Sequence, residues 1–211
     1  MLDDGDPVDV LYMDFQKAFD KVPHERLISK VKAVGIEGKV LNWIREWLRE
    51  RKQRVVLDGE NSEWKEVKSG VPQGSVLGPV LFLIYINDID ENIANMILKF
   101  ADDIKLIGKV KTLQDIESMK RDVKILVEWS EKWLMPYNIK KCKAMHLGNN
   151  NTEAKYEIKG LNLQVINEET DLGVIVTKNF KWDNQCSKAA SKGNQILGMI
   201  ARTFTSRNQK L

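Results

Sequence analysis

The stretch LKFADDIKLIG, residues 98–108, sets two aspartates side by side inside an apolar, strand-like run. Adjacent carboxylates repel, and taking either out of water is costly unless something positive meets it. The flanks NMILKF and IKLIGKV read as two strands folded back on each other, with Ala101, Asp102 and Asp103 at the hairpin tip. Two readings follow. One is a solvated turn, since aspartate is a common turn residue. The other is a metal site, in which a cation offsets the repulsion.

Working outward, VDVLYMDF (8–15) is an apolar, β-branched opening strand that ends on Asp14, followed by the mixed segment QKAFDKVP. The chain thus supplies two separate acid-bearing elements. Neighbouring strands lie about 4.8 Å apart, so if these two pair, Asp14 and Asp102 come within reach of ions about 3.5 to 4 Å apart. Hard oxygen ligands of this kind suit Mg²⁺ or Mn²⁺, and the lack of a His or Cys cluster argues against zinc.

Around these elements, HERLISKVKAVG places Leu27, Val31 and Val34 on one helical face. GKVLNWIREWLRER repeats the pattern with Val40, Trp43, Ile44, Trp47 and Leu48. QRVVLDG and WKEVKSG read as short strands joined by a Gly-Glu-Asn-Ser turn, and SGVPQGSVLGP is a glycine-dense loop leading into the apolar helix VLFLIYINDI. A long amphipathic helix spans Leu113 to about Trp133, with Ile116, Met119, Val123, Leu126, Val127 and Trp133 as its core face. KAMHLG, YEIKG, LQVI and DLGVIV read as strands, and an uncapped helical stretch runs from Trp182 to Phe204. The expected class is α+β, a sheet covered by helices on one face.

Composition narrows the function classes. A chain of 211 residues that is 43% hydrophobic and 30% charged buries a sizeable core. A net charge of +3 hints at a polyanionic partner without the footprint of a dedicated DNA-binding module. Cys142 and Cys186 are too few for a disulfide framework, lack zinc-site spacing, and are expected as packing residues in a reducing compartment. The longest apolar run, Val76 to Ile86, falls short of the roughly 20 residues a membrane span needs. MLDDGDPVDV lacks the regions of a signal peptide, so no membrane role is expected and an intracellular setting, cytoplasm or nucleus, is.

The motifs YMDFQKAFDKVPH, SGVPQGSVLGPVLFLIYINDI, FADD, NIKKCKAMHLG and DLGVIV stand in an order that resembles the palm of a reverse transcriptase. In particular they are similar to those of non-LTR (LINE-type) retrotransposons. The resemblance implies an antiparallel palm sheet with fingers-side insertions over residues 1–178 and the start of a thumb-like helical region over 179–211. It implies an RNA-directed DNA polymerase that transfers dNTPs to a primer 3′-hydroxyl on an RNA template. Asp14 and Asp102 would bridge two Mg²⁺ ions, Asp103 would support them, and the Phe15 carbonyl would complete the ligand set. Mn²⁺ would substitute. Lys141 matches a lysine placed near the leaving pyrophosphate; its bland reading is a solvated lysine. Phe19 matches the aromatic that crowds the sugar 2′-position, its bland reading being core. Gln73 matches a template-side glutamine, with Gly70 and Gly74 letting backbone approach nucleic acid. Leu172, Gly173 and Val174 fall where the family grips the primer end, although a core strand is the plainer fate of Val174 and Val176.

There are departures. Only thirteen residues precede Asp14, so the fingers half of a nucleotide site is expected outside the chain, the thumb only begins, and FADDI and LMPYNIKK differ mildly from the usual pattern. Two other classes remain. One is a truncated, inactive palm that at most binds nucleic acid; survival of all three acids speaks against it. The other is a nucleotide cyclase, which also sets strand-end acids around two metals, and which the Pro-Gln-Gly loop and DLGVIV disfavour.

Overall fold

The computed structural model of the chain describes residues 1–204, so residues 205–211 of the thumb-like segment expected over 179–211 lie outside the described residues. In chain order the elements are β1 (Val8–Met13), α1 (Ala18–Lys21), α2 (His24–Ala33) and α3 (Gly38–Leu48). An arm of β2 (Lys52–Gln53), β3 (Val56–Leu57), β4 (Glu60–Asn61) and β5 (Lys65–Glu66) comes next. Then follow α4 (Leu77–Ile86), β6 (Met96–Phe100), β7 (Asp103–Lys109), α5 (Leu113–Lys132) and β8 (Lys143–Leu147). β9 (Glu157–Ile158), β10 (Leu161–Asn162), β11 (Gln164–Val165), β12 (Glu168–Asp171), β13 (Val174–Thr177) and α6 (Asp183–Thr203) complete the chain.

Five strands form the central sheet in the order β11-β8-β1-β7-β6, antiparallel except where β11 runs parallel to β8. The opening strand is central because it is apolar on both faces. Leu11 and Met13 enter the main core beneath the helices, while Val8 and Val10 pack with Met145 and Leu147 on the opposite face. Its partner β7 alternates: Ile104 and Leu106 are buried, Lys105 and Ile107 only partly. Helix α5 crosses β7 closely, since a Cβ on Gly108 would collide with the Met119 side chain. The helix starts on a capping box in which Thr112 Oγ1 accepts from the Asp115 amide at 3.1 Å and Asp115 accepts from the Thr112 amide at 2.8 Å. Inside it, fully buried Asp122 accepts from the amides of Ala94 and Asn95, pinning the approach to β6. Lys30 of α2 ties three helices together: its ammonium pairs with Asp88, donates to the Tyr85 carbonyl at 2.5 Å and lies 3.7 Å from the Trp133 ring centroid.

The α+β expectation holds, with α1–α5 gathered over one face of the sheet and α6 apart from them on the β12–β13 hairpin, and so does the core face of α5, to which Trp129 is added. Several local expectations change. α2 ends at Ala33, leaving Val34 exposed. The buried face of α3 is Leu41, Ile44 and Leu48, with Trp47 half-buried against the core; Val40 and Trp43 are exposed, and Trp43 stacks on Trp47. In the arm, Glu60 and Asn61 are strand residues, and β3 pairs with β4 across Asp58-Gly59. DLGVIV is no single strand: Asp171 ends β12, Val174 begins β13, and Leu172-Gly173, with φ of 47° and 87°, form the turn between them. Val174 is exposed rather than core. No residue of α6 is buried, and Cys186 on it is exposed, whereas Cys142 is fully buried. No helix among the described residues is long and apolar enough to cross a membrane.

The Pro-Gln-Gly loop is fixed through Gly70, whose amide donates to the Val22 carbonyl and whose neighbour Val71 donates to that of Phe19. With φ of 95°, a Cβ there would sit 2.8 Å from the Asp20 Cα and the Phe19 carbonyl oxygen. The close approach at Gly70 is therefore to the chain's own backbone, not to the nucleic acid expected there. Gly74, with φ of 82°, faces open space. Gly70→Ala is expected to cost about 2 to 5 kcal/mol, left-handed strain plus displaced backbone, and Gly74→Ala about 1 to 2 kcal/mol from strain alone. Urea melts of the two variants check this, and equal losses would remove the close-approach account.

Candidate active site

The antiparallel register Met13↔Ile104 puts the residue after β1, Asp14, beside the first residue of β7, Asp103. The backbone around Asp14 is held on the other side: its carbonyl accepts from the Asn138 amide at 2.7 Å and its amide donates to Cys142 Sγ at 3.4 Å. Burial pushes the Cys142 thiol up to about 11, so at neutral pH it is an uncharged packing group. Phe15 bridges to Tyr137 and stacks on it at 4.7 Å, its side chain in the core; the bridge uses the Asp14 carbonyl and the Gln16 amide, leaving the Phe15 carbonyl outside it. Asp14 therefore stands on a rigid strand end.

Asp14, Asp103, Lys141 and Leu172 line one small cleft of about 90 Å³, together with Tyr12, Lys105, Glu169 and Asp171. Lys141 Nζ lies 3.4 Å from Asp14 Oδ2, while Asp14 Oδ1 is buried with no hydrogen-bond partner. The Asp103 carboxyl is held above the ordinary range, first by desolvation, then by the charges of Asp102 and Asp14, with Lys105 opposing. Asp102 occupies the two-residue turn with Ala101, whose φ is 51°, and does not line the cleft. The acid that shares the cleft with Asp14 is thus Asp103, whereas the sequence pointed to Asp102. Among the described residues no three His, Cys, Asp or Glu side chains converge tightly enough to hold a metal. The chemistry of the donor set still suits a hard cation, because it leaves one carboxylate oxygen without a donor and three like charges in mutual repulsion.

Of the other expected residues, Gly173 adjoins the cleft without lining it, and the rest lie apart. Phe19 is half-buried and stacks on Phe82 at 4.5 Å, as its bland reading has it. Gln73 lines a separate cleft of about 580 Å³ with Lys17, Arg51 and Lys68. Gly74 and Gly173 are exposed. Three lining residues that the sequence did not single out are held in ion pairs: Lys105 pairs with Asp171 at 2.5 Å, and Glu169 pairs at 2.6 Å with Lys143, which lies beyond the cleft. Strand alternation places Lys105 on a known face, but no local signal names a partner 66 residues away.

Residues 8–199 match the reverse transcriptase (RNA-dependent DNA polymerase) family, and the chain belongs to it. It is 30% identical over 179 residues to the RNA-directed DNA polymerase from mobile element jockey of Drosophila funebris, covering 80% of this chain and 19% of that protein. It is 28% identical over 191 residues to the probable RNA-directed DNA polymerase from transposon BS of Drosophila melanogaster, covering 84% of this chain and 21% of that protein. The chain therefore spans about a fifth of the length of these relatives. The resemblance to non-LTR retrotransposon reverse transcriptases that the ordered motifs carry is borne out. Apo telomerase from Candida tropicalis shares the fold, with a TM-score of 0.56 at 12% identity over 83% of this chain and 33% of that one. Telomerase from the same organism with a fragment of telomeric RNA gives 0.55 at 14% identity, over 85% of this chain and 30% of that one. The fold is that of a polymerase palm, and reverse transcriptases generally use divalent metal ions.

The raised Asp103 carboxyl has a signed consequence. Its proton is held more tightly folded than unfolded, so ionising it destabilises the fold once pH rises through the ordinary carboxylate range, and nothing is lost below that range. Without divalent ions, Asp103→Asn is expected to raise the melting temperature at pH 7 and leave it unchanged near pH 3. A variant less stable than wild type at pH 7 would contradict this.

Proposed function

We propose that the chain is the catalytic palm of a retrotransposon RNA-directed DNA polymerase, which extends a DNA primer along an RNA template with dNTPs. The observation that carries this reading is the meeting of Asp14 and Asp103 from adjacent antiparallel strands, with one Asp14 oxygen left without a donor. Asp14, Asp102 and Asp103, with the Phe15 carbonyl, would hold two Mg²⁺ ions, for which Mn²⁺ substitutes. When bound, the ions supply Lewis-acid activation of the primer hydroxyl and positive charge for the triphosphate and departing pyrophosphate.

The chain's own residues do the positioning. Asp14 is fixed by a strand end braced on β7 and β8, so its carboxylate stays in place when the substrate arrives. Lys141, 65% exposed and already facing Asp14, serves as the proton donor to the leaving pyrophosphate. Phe19 crowds the 2′-position of the incoming sugar, and its stack on Phe82 keeps the ring from yielding. Gln73 and Gly74 meet the template side, and Leu172 and Gly173 meet the primer end, as the family pattern places them. Residues 1–178 form the palm with its fingers-side insertions, and α6 begins a thumb-like region. Such a chain works in the cytoplasm or nucleus, where its RNA template is found.

Two measurements test the reading. Mn²⁺ is expected to raise the melting temperature of the wild-type chain by mass action, and Asp14→Asn or Asp102→Asn to abolish that rise. Equal stabilisation of all three proteins would remove the metal site. Primer extension on an RNA template with Mg²⁺ checks the activity, in this chain and in one extended upstream, and loss of all extension in Asp14→Asn is expected. In an active protein, Phe19→Ala is expected to raise ribonucleotide use relative to deoxynucleotide use. Unchanged sugar discrimination, with stability lowered by the about 3 to 5 kcal/mol of a core deletion, would return Phe19 to packing alone.

A further inference from the structure

We propose that Lys105 and Lys143 are positioning residues, a pair of cationic posts that seat the β12–β13 hairpin across the sheet so that its turn, Leu172-Gly173, borders the carboxylate cleft. This rests on the polymerase reading for its functional consequence, though not for its geometry. The hairpin is not hydrogen-bonded into the five-stranded sheet; it is a separate two-stranded unit. Its base follows β11, where the Ile166 amide donates to the Ala144 carbonyl, so what remains to be fixed is its lie across the sheet toward the turn.

The fixing contacts are regular. Lys105 and Lys143 stand opposite Tyr12 on its two neighbouring strands, in the registers Tyr12↔Lys105 and Tyr12↔Lys143. Glu169 and Asp171 are two residues apart on β12 and so point the same way, down onto those two ammonium groups. Lys105 and Asp171 are 14% and 20% exposed, and Lys143 and Glu169 29% and 21%, so neither pair is a fully solvated surface contact of the kind worth little. Tyr12 lies between the posts, its phenol pushed up to about 12 by burial and then by the Asp171 and Glu169 charges. Behind the hairpin, α6 closes the sandwich: Gln185 Oε1 accepts from the Ile175 amide at 2.9 Å and Asn184 donates to Glu168 at 2.6 Å.

The placement matters because Asp171 immediately precedes the turn, and Leu172 lines the same cleft as Asp14, Asp103 and Lys141. Lys105 and Asp103 are two residues apart on β7, share a face of that strand and line the same cleft. One ammonium thus lies between the carboxylate that seats the hairpin and a carboxylate of the cleft. Without it, Asp171 would add an uncompensated negative charge beside Asp14 and Asp103, and the hairpin would be pushed away from the place where a primer terminus has to sit.

The test uses the 211-residue chain. Lys105→Met, Lys143→Glu, Glu169→Lys and the exchanged pair Lys143→Glu with Glu169→Lys are compared with wild type; the exchange is made at residue 143 so that no charge is reversed beside Asp103. Hydrogen exchange is expected to be about tenfold faster in residues 168–177 of each single variant, with β1 and β7 protection unchanged, and to recover in the exchanged pair. Extension of a recessed primer is expected to lose about tenfold or more in kcat, with KM for primer-template, set by phosphate contacts, little changed. The exchanged pair should regain kcat. Unchanged protection of 168–177, loss of protection spread evenly over the sheet, or no rescue by the exchange would each overturn the proposal. Should the wild-type chain fail to extend any primer, hydrogen exchange decides the seating and the kinetic comparison is made in the chain extended upstream; failure of that longer chain as well falls on the polymerase reading.

Discussion

The antiparallel register of β1 between β7 and β8 is the constraint from which the rest of the structure follows. Leu11 faces Leu106 on one side and Ala144 on the other, and all three are buried to 1% or less. Because side chains alternate faces with a period of two, a slip of one residue would carry Leu11 and Met13 out of the helix-covered core and send Val10 and Tyr12 into it. The same register sets the chemistry. Asp14 lies one step beyond Met13, and Asp103 one step before Ile104, so the alignment that packs the core also brings the two carboxylates to one cleft.

That meeting is unfavourable taken alone. Asp102, Asp103 and Asp14 repel one another, and the tip that presents them requires a left-handed Ala101, about 1 to 2 kcal/mol less comfortable than glycine would be. The adjoining turn asks the same of Leu172. Strain and like charge gathered at one place indicate a site kept for what it binds rather than for stability. The stabilising features sit elsewhere: the capping box of α5, the Asp122 clasp on the approach to β6, and Lys30 at the junction of α2, α4 and α5. Lys141 and Lys105 relieve the repulsion in part while leaving one Asp14 oxygen without a donor.

What the sequence disclosed and what it withheld divide along a physical line. β1 with its terminal acid, the double-aspartate hairpin and the core stripe of α5 were legible because each is written in local periodicity over many residues. The exposed side of α3 was not, since Trp43 and Trp47 extend the apolar stripe beyond the face that finds a partner, which here is Leu41, Ile44 and Leu48. The hairpin within DLGVIV was hidden because Leu172 is no turn former, and its left-handed conformation is tolerated only where surrounding contacts impose it. The choice between Asp102 and Asp103 as the cleft acid depends on a two-residue turn, which a strand pattern does not resolve. Lys105 and Asp171 had no chance of being joined by inspection, because their pairing exists only once the sheet is assembled.

A slip of two residues would keep the buried face, so alternation alone does not fix the register, and the far end of β1 supplies a further constraint. Asp9 is fully buried yet fully partnered: one oxygen accepts from His146 Nδ1 at 2.7 Å and Asn151 Nδ2 at 2.8 Å, the other from the Tyr156 hydroxyl at 2.6 Å. His146 lies directly opposite Asp9 on β8. A buried carboxylate stripped of its donors costs far more than a misplaced methyl group, so a shifted pairing is penalised at Asp9 even where the aliphatic side chains would accept it. The buried network therefore acts on the cleft without touching it. By penalising a shift of β1 against β8 at the start of the strand, it helps to hold Asp14 against the β8 side at the end.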